Sequence, residues 1–277
     1  MANISAQDVY KLRDLTGAGV MDCKNALVES EGDFEKAIEI LRKKGQKLAV
    51  KRADREANEG YVIAATDETN TFGAVIMMNC ETDFVAKNND FVSATKSFID
   101  AAIAFKPKNL DALNALQIDG RSIADLTTDL VGKIGEKITL THYECIEAPC
   151  VVVYNHYNHR ISTIAGLTEG GEKAIEAGKD VTMQIASMKP IAVDKDDVSA
   201  DIIAKEIEIG KEQARQEGKP EEMLEKIAQG KLNKFYKEST LVNQDYIKDG
   251  SMTVAQYLKS VSANLNVSKF YRFALGE

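Results

Sequence analysis

Cysteine and histidine are scarce in this 277-residue chain, which has four of one and three of the other. Cys23, Cys80, Cys145 and Cys150 are scattered, with no Cys-x-x-Cys pair and no disulfide-framework spacing. This excludes a disulfide-stapled secreted scaffold and points to a reducing cytosol. His142, His156 and His159 are too few, and too clustered, for an obvious nucleophile–base–acid triad, and no nucleophile elbow occurs. Long apolar runs are missing too. None approaches the roughly 18 residues that cross a bilayer, and Met1-Ala2-Asn3-Ile4-Ser5 lacks a cationic leader and an apolar h-region. No Gly-x-x-x-x-Gly-Lys-Ser/Thr loop is present, so nucleotide is not held by the P-loop route. Thr16-Gly17-Ala18-Gly19 follows a helical pattern rather than a strand and lacks the third glycine of a dinucleotide fingerprint. Basic charge is in deficit, 35 Lys and Arg against 43 Asp and Glu, and a net charge of −8 argues against a general nucleic-acid binder.

What is there reads as several modules, since the length exceeds one ordinary domain. Residues 1–45 predict three short helices. Ser5 and Asp8 form a capping box, Gly17-Ala18-Gly19 makes a turn, Asp33 caps the third helix and Gly45 stops it. A unit so small leaves apolar side chains near its surface. Residues 46–59 read as a polar, basic linker. A weak repeat follows. Strands Tyr61–Ala65 and Phe72–Met78, with a helix from about Asp90 to Lys106-Pro107, are echoed by strands Val151–His156 and Arg160–Gly166, with a helix ending at Lys189-Pro190. Between the copies lie a helix carrying Ile123, Leu126, Leu130 and Ile134, and a strand Lys137–His142. The predicted class is α+β, a two-part core with antiparallel sheets: an N-subdomain over 60–140 and a C-subdomain over 141–197 and 239–277. Residues 198–238 are charge-rich and broken at Gly218-Lys219-Pro220, which predicts an inserted antiparallel helical hairpin with a narrow apolar seam. Thr253 and Gln256 form a capping box before a last helix, and Val267–Ala274 is a terminal strand.

The most informative stretch is Asn79-Cys80-Glu81-Thr82-Asp83-Phe84-Val85-Ala86-Lys87-Asn88, after the buried-strand run Ala74–Met78. An acid and a large aromatic stand side by side where a strand gives way to a loop, the usual place for contact residues. On residues alone, a Phe84 tucked beneath the following helix is the better reading of such a loop. With Leu12-Arg13 and Thr16-Gly17-Ala18-Gly19-Val20-Met21-Asp22-Cys23-Lys24, in this order and spacing, the stretch resembles the two signatures of the elongation factor Ts family, and the similarity extends over nearly the whole chain.

That resemblance implies a guanine-nucleotide exchange factor, acting on elongation factor Tu by binding, without covalent chemistry and without a cofactor. It makes the N-terminal bundle ubiquitin-associated-like and the hairpin a dimerisation or coiled-coil insertion through which a homodimer would form. Asp83 and Phe84, flanked by Thr82 and Val85, are implied to enter near the magnesium and phosphate site of the partner. Leu12, Val20 and Met21 are implied to dock on its GTPase domain, although Leu12 also reads as closing the three-helix core. The Tyr154-x-His156 motif with Arg160-Ile161 matches a family motif whose histidine meets the partner, and Gln244 and Ile247 belong to the same implied surface. Here Tyr157-Asn158-His159 stands where relatives carry a glycine-rich turn, and relatives' further C-terminal helix, with its contact, is expected to be missing.

Two readings from other classes stand beside it. The basic segment Arg42 to Arg55 suits an RNA-binding accessory protein, but Asp54 and Glu56 interrupt the charge and no aromatics interleave it. His142, Cys145, Cys150, His156 and His159 have ligand types that suit a zinc-dependent hydrolase, but their spacings are not those of a finger.

Overall fold

The computed structural model describes residues 4–277, so residues 1–3 of the expected N-terminal module and start sequence lie outside the described residues. Helices α1 (Ala6–Thr16), α2 (Val20–Glu29) and α3 (Phe34–Arg52) form the N-terminal bundle. The Ser5–Asp8 capping box and the Asp33 cap start α1 and α3, and Gly17 ends α1 with φ +68°. Val9, Leu12, Cys23, Ala26, Leu27 and Ala37 make its small core. Gly45 does not end α3, which runs on to Arg52 through the first half of the expected linker. The helical cost of a glycine, about 1 kcal/mol, is offset by a close crossing. A Cβ on Gly45 would lie 3.3 Å from the Cα of Gly132, and one on Gly132 would lie 3.0 Å from the Cα of Gly45.

The first half of the core contains β1 (Glu59–Thr66), β2 (Phe72–Cys80), the single turn α4 (Asp83–Ala86), α5 (Asn89–Phe105) and α6 (Leu110–Ala115). It continues through the two-residue strands β3 (Gln117–Ile118) and β4 (Arg121–Ser122) into α7 (Ile123–Ile134) and β5 (Ile138–Glu147). The sheet order is β1-β2-β5, all antiparallel. Strand β5 crosses position 140, where the subdomain boundary was expected, and stays paired with β2 as far as Glu147. The second half has β6 (Cys150–Asn155), β7 (Ile161–Leu167) and α8 (Glu172–Met188), then the arm α9 (Ala200–Gln216) and α10 (Glu221–Ser239). The short strands β8 (Asp245–Tyr246) and β9 (Asp249–Thr253), helix α11 (Val254–Val261) and strand β10 (Val267–Ala274) complete it, with sheet order β10-β7-β6.

Period-two alternation explains why every residue of β2 is buried. Ala74, Ile76 and Met78 pack with Phe91 and Phe98 of α5, while Val75 and Met77 pack with Val151 and Ile164 of the second sheet. Cys150, Val152, Ala165 and Leu167 turn the other way, onto Val181 and Ile185 of α8. The core is therefore helices, sheet, sheet, helices, and the weak repeat in the sequence is two α+β halves packed sheet to sheet. Asn155 ties them, its side-chain amide donating to the Ala64 carbonyl and accepting from the Ala64 N–H, both at 2.8 Å. The arm leaves from a fixed base, where Leu241 N–H donates to Ala192 O at 2.9 Å and Val242 N–H to Val193 O at 3.0 Å. Its seam is made by Gly210, Ala214, Leu224, Ala228 and Leu232 rather than by the isoleucines Ile202 and Ile209, which stay exposed.

Candidate functional site

Strand β2 delivers the chain to the Glu81–Lys87 turn, and the first two residues are anchors. Glu81 Oε1 accepts from Arg52 Nη1 and from the Lys137 backbone N–H, both at 2.6 Å, and Oε2 accepts from Arg55 Nη1 at 3.0 Å. Burial would raise the Glu81 carboxyl, but the Lys137 N–H and the two guanidiniums outweigh it and hold it at about 2. Thr82 donates twice to Glu136, from its N–H at 3.0 Å and its hydroxyl at 2.7 Å, and its Oγ1 caps α4 by accepting from the Val85 N–H. Val85 drops into the first core cluster, and Asn88 caps α5 by accepting from the Asp90 N–H at 2.9 Å.

With both flanks fixed, Asp83 and Phe84 face outward. Phe84 is 81% exposed, the reverse of a side chain tucked beneath α5. Asp83 pairs with Lys87 at 2.7 Å, and this hydrogen bond keeps its carboxyl below the usual range, so it is charged at neutral pH. The cleft beside Phe84, about 690 Å³, is bordered by Arg13, Asp14 and Gly17 at the end of α1 and by Lys133 of α7. Lys133 crosses the Gly17 turn and pairs with Asp90 at 2.9 Å, which links bundle, α7 and α5 around the aromatic.

The remaining candidates divide. Met21, 62% exposed, and Val20 lie open at the start of α2, but Leu12 is 0% exposed at the centre of the bundle, so it closes the core and presents no docking surface. Gln244, 1% exposed, is likewise internal: its amide donates to Glu238 O at 2.9 Å and Met188 O at 3.2 Å, and its oxygen accepts from Gln184 at 3.1 Å. It fastens the arm to the end of α8, while Ile247 lies exposed on the β8–β9 turn. His156 is half-buried and bonds the Tyr154 hydroxyl at 2.8 Å. Thr82 and Val85 are supports of the turn rather than contact side chains. Sequence reasoning missed Leu15 and Tyr157 among the exposed large apolar groups. Leu15 falls off the face set by Val9 and Leu12, and Tyr157 sits in a turn where no periodicity operates.

Of the basic side chains from Arg42 to Arg55, Arg52 and Arg55 pair with Glu81, Lys44 with Asp22 and Lys43 with Glu39, while Arg42, Lys47 and Lys51 lie exposed. The zinc-ligand candidates do not come together. Cys145 packs on the α5–α7 side of the first sheet and Cys150 on the α8 side of the second, on opposite outer faces of the sandwich. His142 tilts against Phe273, His159 stacks on Tyr61, and among the described residues no group of three or more metal-ligating side chains converges. Also among the described residues, no helix is long and apolar enough to cross a membrane.

The Glu81 anchor is testable. Glu81→Gln keeps the shape and loses two charge-assisted bonds, so it should cost about 2 kcal/mol in urea unfolding. Because the folded carboxyl lies below its ordinary value of 4.5, its stabilisation is complete above that pH and is lost as pH falls toward about 2. The wild-type chain should therefore lose more stability across this acid window than Glu81→Gln. Parallel acid limbs would show that the carboxylate carries no such linkage.

A family profile described as Elongation factor TS matches residues 81–277, beginning at Glu81 itself. The chain is 51% identical over 276 residues to an Elongation factor Ts of Christiangramia forsetii and to one of Flavobacterium psychrophilum, covering 100% of both chains in each case. It is 50% identical over 274 residues to that of Amoebophilus asiaticus, covering 99% of each. These matches include the N-terminal bundle that the profile leaves out. The turn that presents Asp83 and Phe84 thus lies at the head of the profile match and inside a full-length correspondence, and the chain belongs to the elongation factor Ts family of translation elongation factors.

Proposed function

We propose that the chain binds elongation factor Tu and promotes release of GDP, so that GTP can rebind. The observation that carries this reading is the exposure of Phe84 on a turn whose neighbours are all tied down. A rigid aromatic loses little freedom on binding, so its contact energy is largely retained. Asp83 beside it brings a negative charge toward the groups that hold the magnesium ion and phosphates of the partner. Met21 and Val20 dock the bundle, and His156 and Ile247 hold a second part of the same partner. No covalent bond is made or broken. A protein that binds the empty GTPase more tightly than the GDP form must weaken GDP binding by the same factor, and each ~1.4 kcal/mol of difference is tenfold. The chain should co-elute with nucleotide-free elongation factor Tu, and millimolar GDP with magnesium should split the complex. Co-elution insensitive to GDP, or none at all, contradicts the reading.

The α9–α10 arm serves self-association rather than exchange. Its seam is narrow, three small residues and two leucines, while Ile202, Ile209 and Met223 lie exposed on its flanks. The Ala192–Thr240 bridge holds the segment before the arm beside the residue that follows it, so a short Gly/Ser linker can replace 199–238. This variant should release GDP nearly as fast as the full chain while shifting sedimentation toward monomer. A folded variant without exchange activity would assign the arm to the GTPase instead.

A further inference from the structure

We infer that Tyr157, at the tip of the β6–β7 turn, is a second aromatic contact for elongation factor Tu, across a groove from Asp83. The inference rests on the exchange reading above and adds to it a specificity residue in the Tyr157-Asn158-His159 turn.

Tyr157 is 86% exposed, yet the turn beneath it is held at every step. His159 takes φ +52°, donates its N–H to His156 O at 2.8 Å, and stacks on Tyr61 with ring centroids 4.1 Å apart. Its carbonyl accepts from the Val62 N–H at 2.8 Å, so the turn is bonded to the free edge of β1. Arg160 pairs with Glu59 on the same strand. The tyrosine ring itself leans on His156, centroids 4.7 Å apart, and that imidazole is fixed by the Tyr154 hydroxyl. An exposed tyrosine on so restrained a turn is pre-organised in the manner of an interface anchor, with little entropy left to lose.

The groove commits the anchor to the same partner. It is about 770 Å³, with Asp83, Ala86 and Lys87 along one side and Tyr157 and Arg160 along the other, so a body seated on Asp83 also meets Tyr157. Both rims are internally neutralised, by Asp83–Lys87 and Glu59–Arg160. A neutral groove with an aromatic rim suits the mixed apolar and polar surface of a folded protein, not a phosphate chain.

The test uses the full chain and purified elongation factor Tu. Tyr157→Ala should weaken the nucleotide-free complex at least about tenfold with an unchanged melting midpoint, and Tyr157→Phe should restore most of the binding. Because the chain has no tryptophan, Tyr157→Trp carrying 5-fluorotryptophan gives one resonance from this position, which should shift when unlabelled partner is added. Val50→Trp, likewise labelled, should not shift. Wild-type affinity for Tyr157→Ala, or an unmoved resonance at 157 in a formed complex, overturns the inference. If Phe84→Ala also retained full exchange, the underlying reading would fall. Impaired Phe84→Ala beside wild-type-like Tyr157→Ala would remove Tyr157 alone.

Discussion

Phe84→Ala should slow partner-stimulated GDP release by a factor of thirty or more, while the melting midpoint hardly moves. The two halves of this expectation have separate causes. A buried phenylalanine costs roughly 3–5 kcal/mol when cut to alanine, because packing is lost and a cavity remains. Phe84 has little packing to lose, since four-fifths of its surface meets solvent and the turn is held by Glu81, Thr82 and Val85. Aromatic anchors at interfaces, by contrast, are often worth about 2 kcal/mol or more, which is roughly thirtyfold in affinity. Asp83→Asn, nearly isosteric, should give a smaller loss that shrinks with added salt, because it acts through charge. Stability and release rates measured on the same preparations separate the two effects. A large fall in melting temperature with exchange intact would make Phe84 a folding residue.

Gly132→Leu should uncouple the N-terminal bundle from the core and reduce exchange, although it lies in α7 and not in the turn itself. The α3–α7 crossing has room only for hydrogen at this point, where a Cβ on Gly132 already comes within 3.0 Å of the Gly45 backbone. Leucine must push α3 away, an overpacking cost of about 1–3 kcal/mol. The displacement strains the Arg52–Glu81 pair at the end of α3, and with it the base of the Asp83–Phe84 turn. Gly45→Leu attacks the same contact from the other helix and should behave alike. Gly230→Ala is the control: nothing lies within 4 Å of a Cβ there, so it should stabilise α10 by up to about 1 kcal/mol and leave exchange alone. Amide hydrogen exchange in α3 reports the uncoupling directly. Unchanged protection and unchanged GDP release in both leucine variants would show that the crossing does not set the bundle's position. The crossing also means that a cut after Gly45 removes the α3 side of the Gly45–Gly132 contact, so bundle deletions belong before Asp33.

Much of the fold was legible in local chemistry. The capping boxes at Ser5 and Thr253, the helix stop at Lys106-Pro107, and the uninterrupted apolar run in β2 all read correctly from neighbours within a few positions. What escaped depends on partners far along the chain. Gly45 reads as a helix stop because nothing nearby compensates a glycine, and its compensation is Gly132. Leu12 has the same periodicity whether it closes a core or docks a partner, so its burial had to be seen. Gln244 looks like an exposed polar residue until the ends of α8 and α10 are brought to it. The outward aim of Phe84 was implied by family resemblance; its physical cause is the division of labour in Glu81-Thr82-Asp83-Phe84-Val85, where anchors and a core residue bracket a half-exposed acid and an exposed aromatic.

Release of fluorescently labelled GDP from elongation factor Tu, followed by stopped flow against increasing concentrations of this chain, tests the central claim most directly. The account predicts release that accelerates with chain concentration toward a plateau, and a shallow, slow response when Phe84→Ala replaces the wild-type chain. Release at the spontaneous rate at every concentration of the wild-type chain, or equal acceleration by Phe84→Ala, would contradict it.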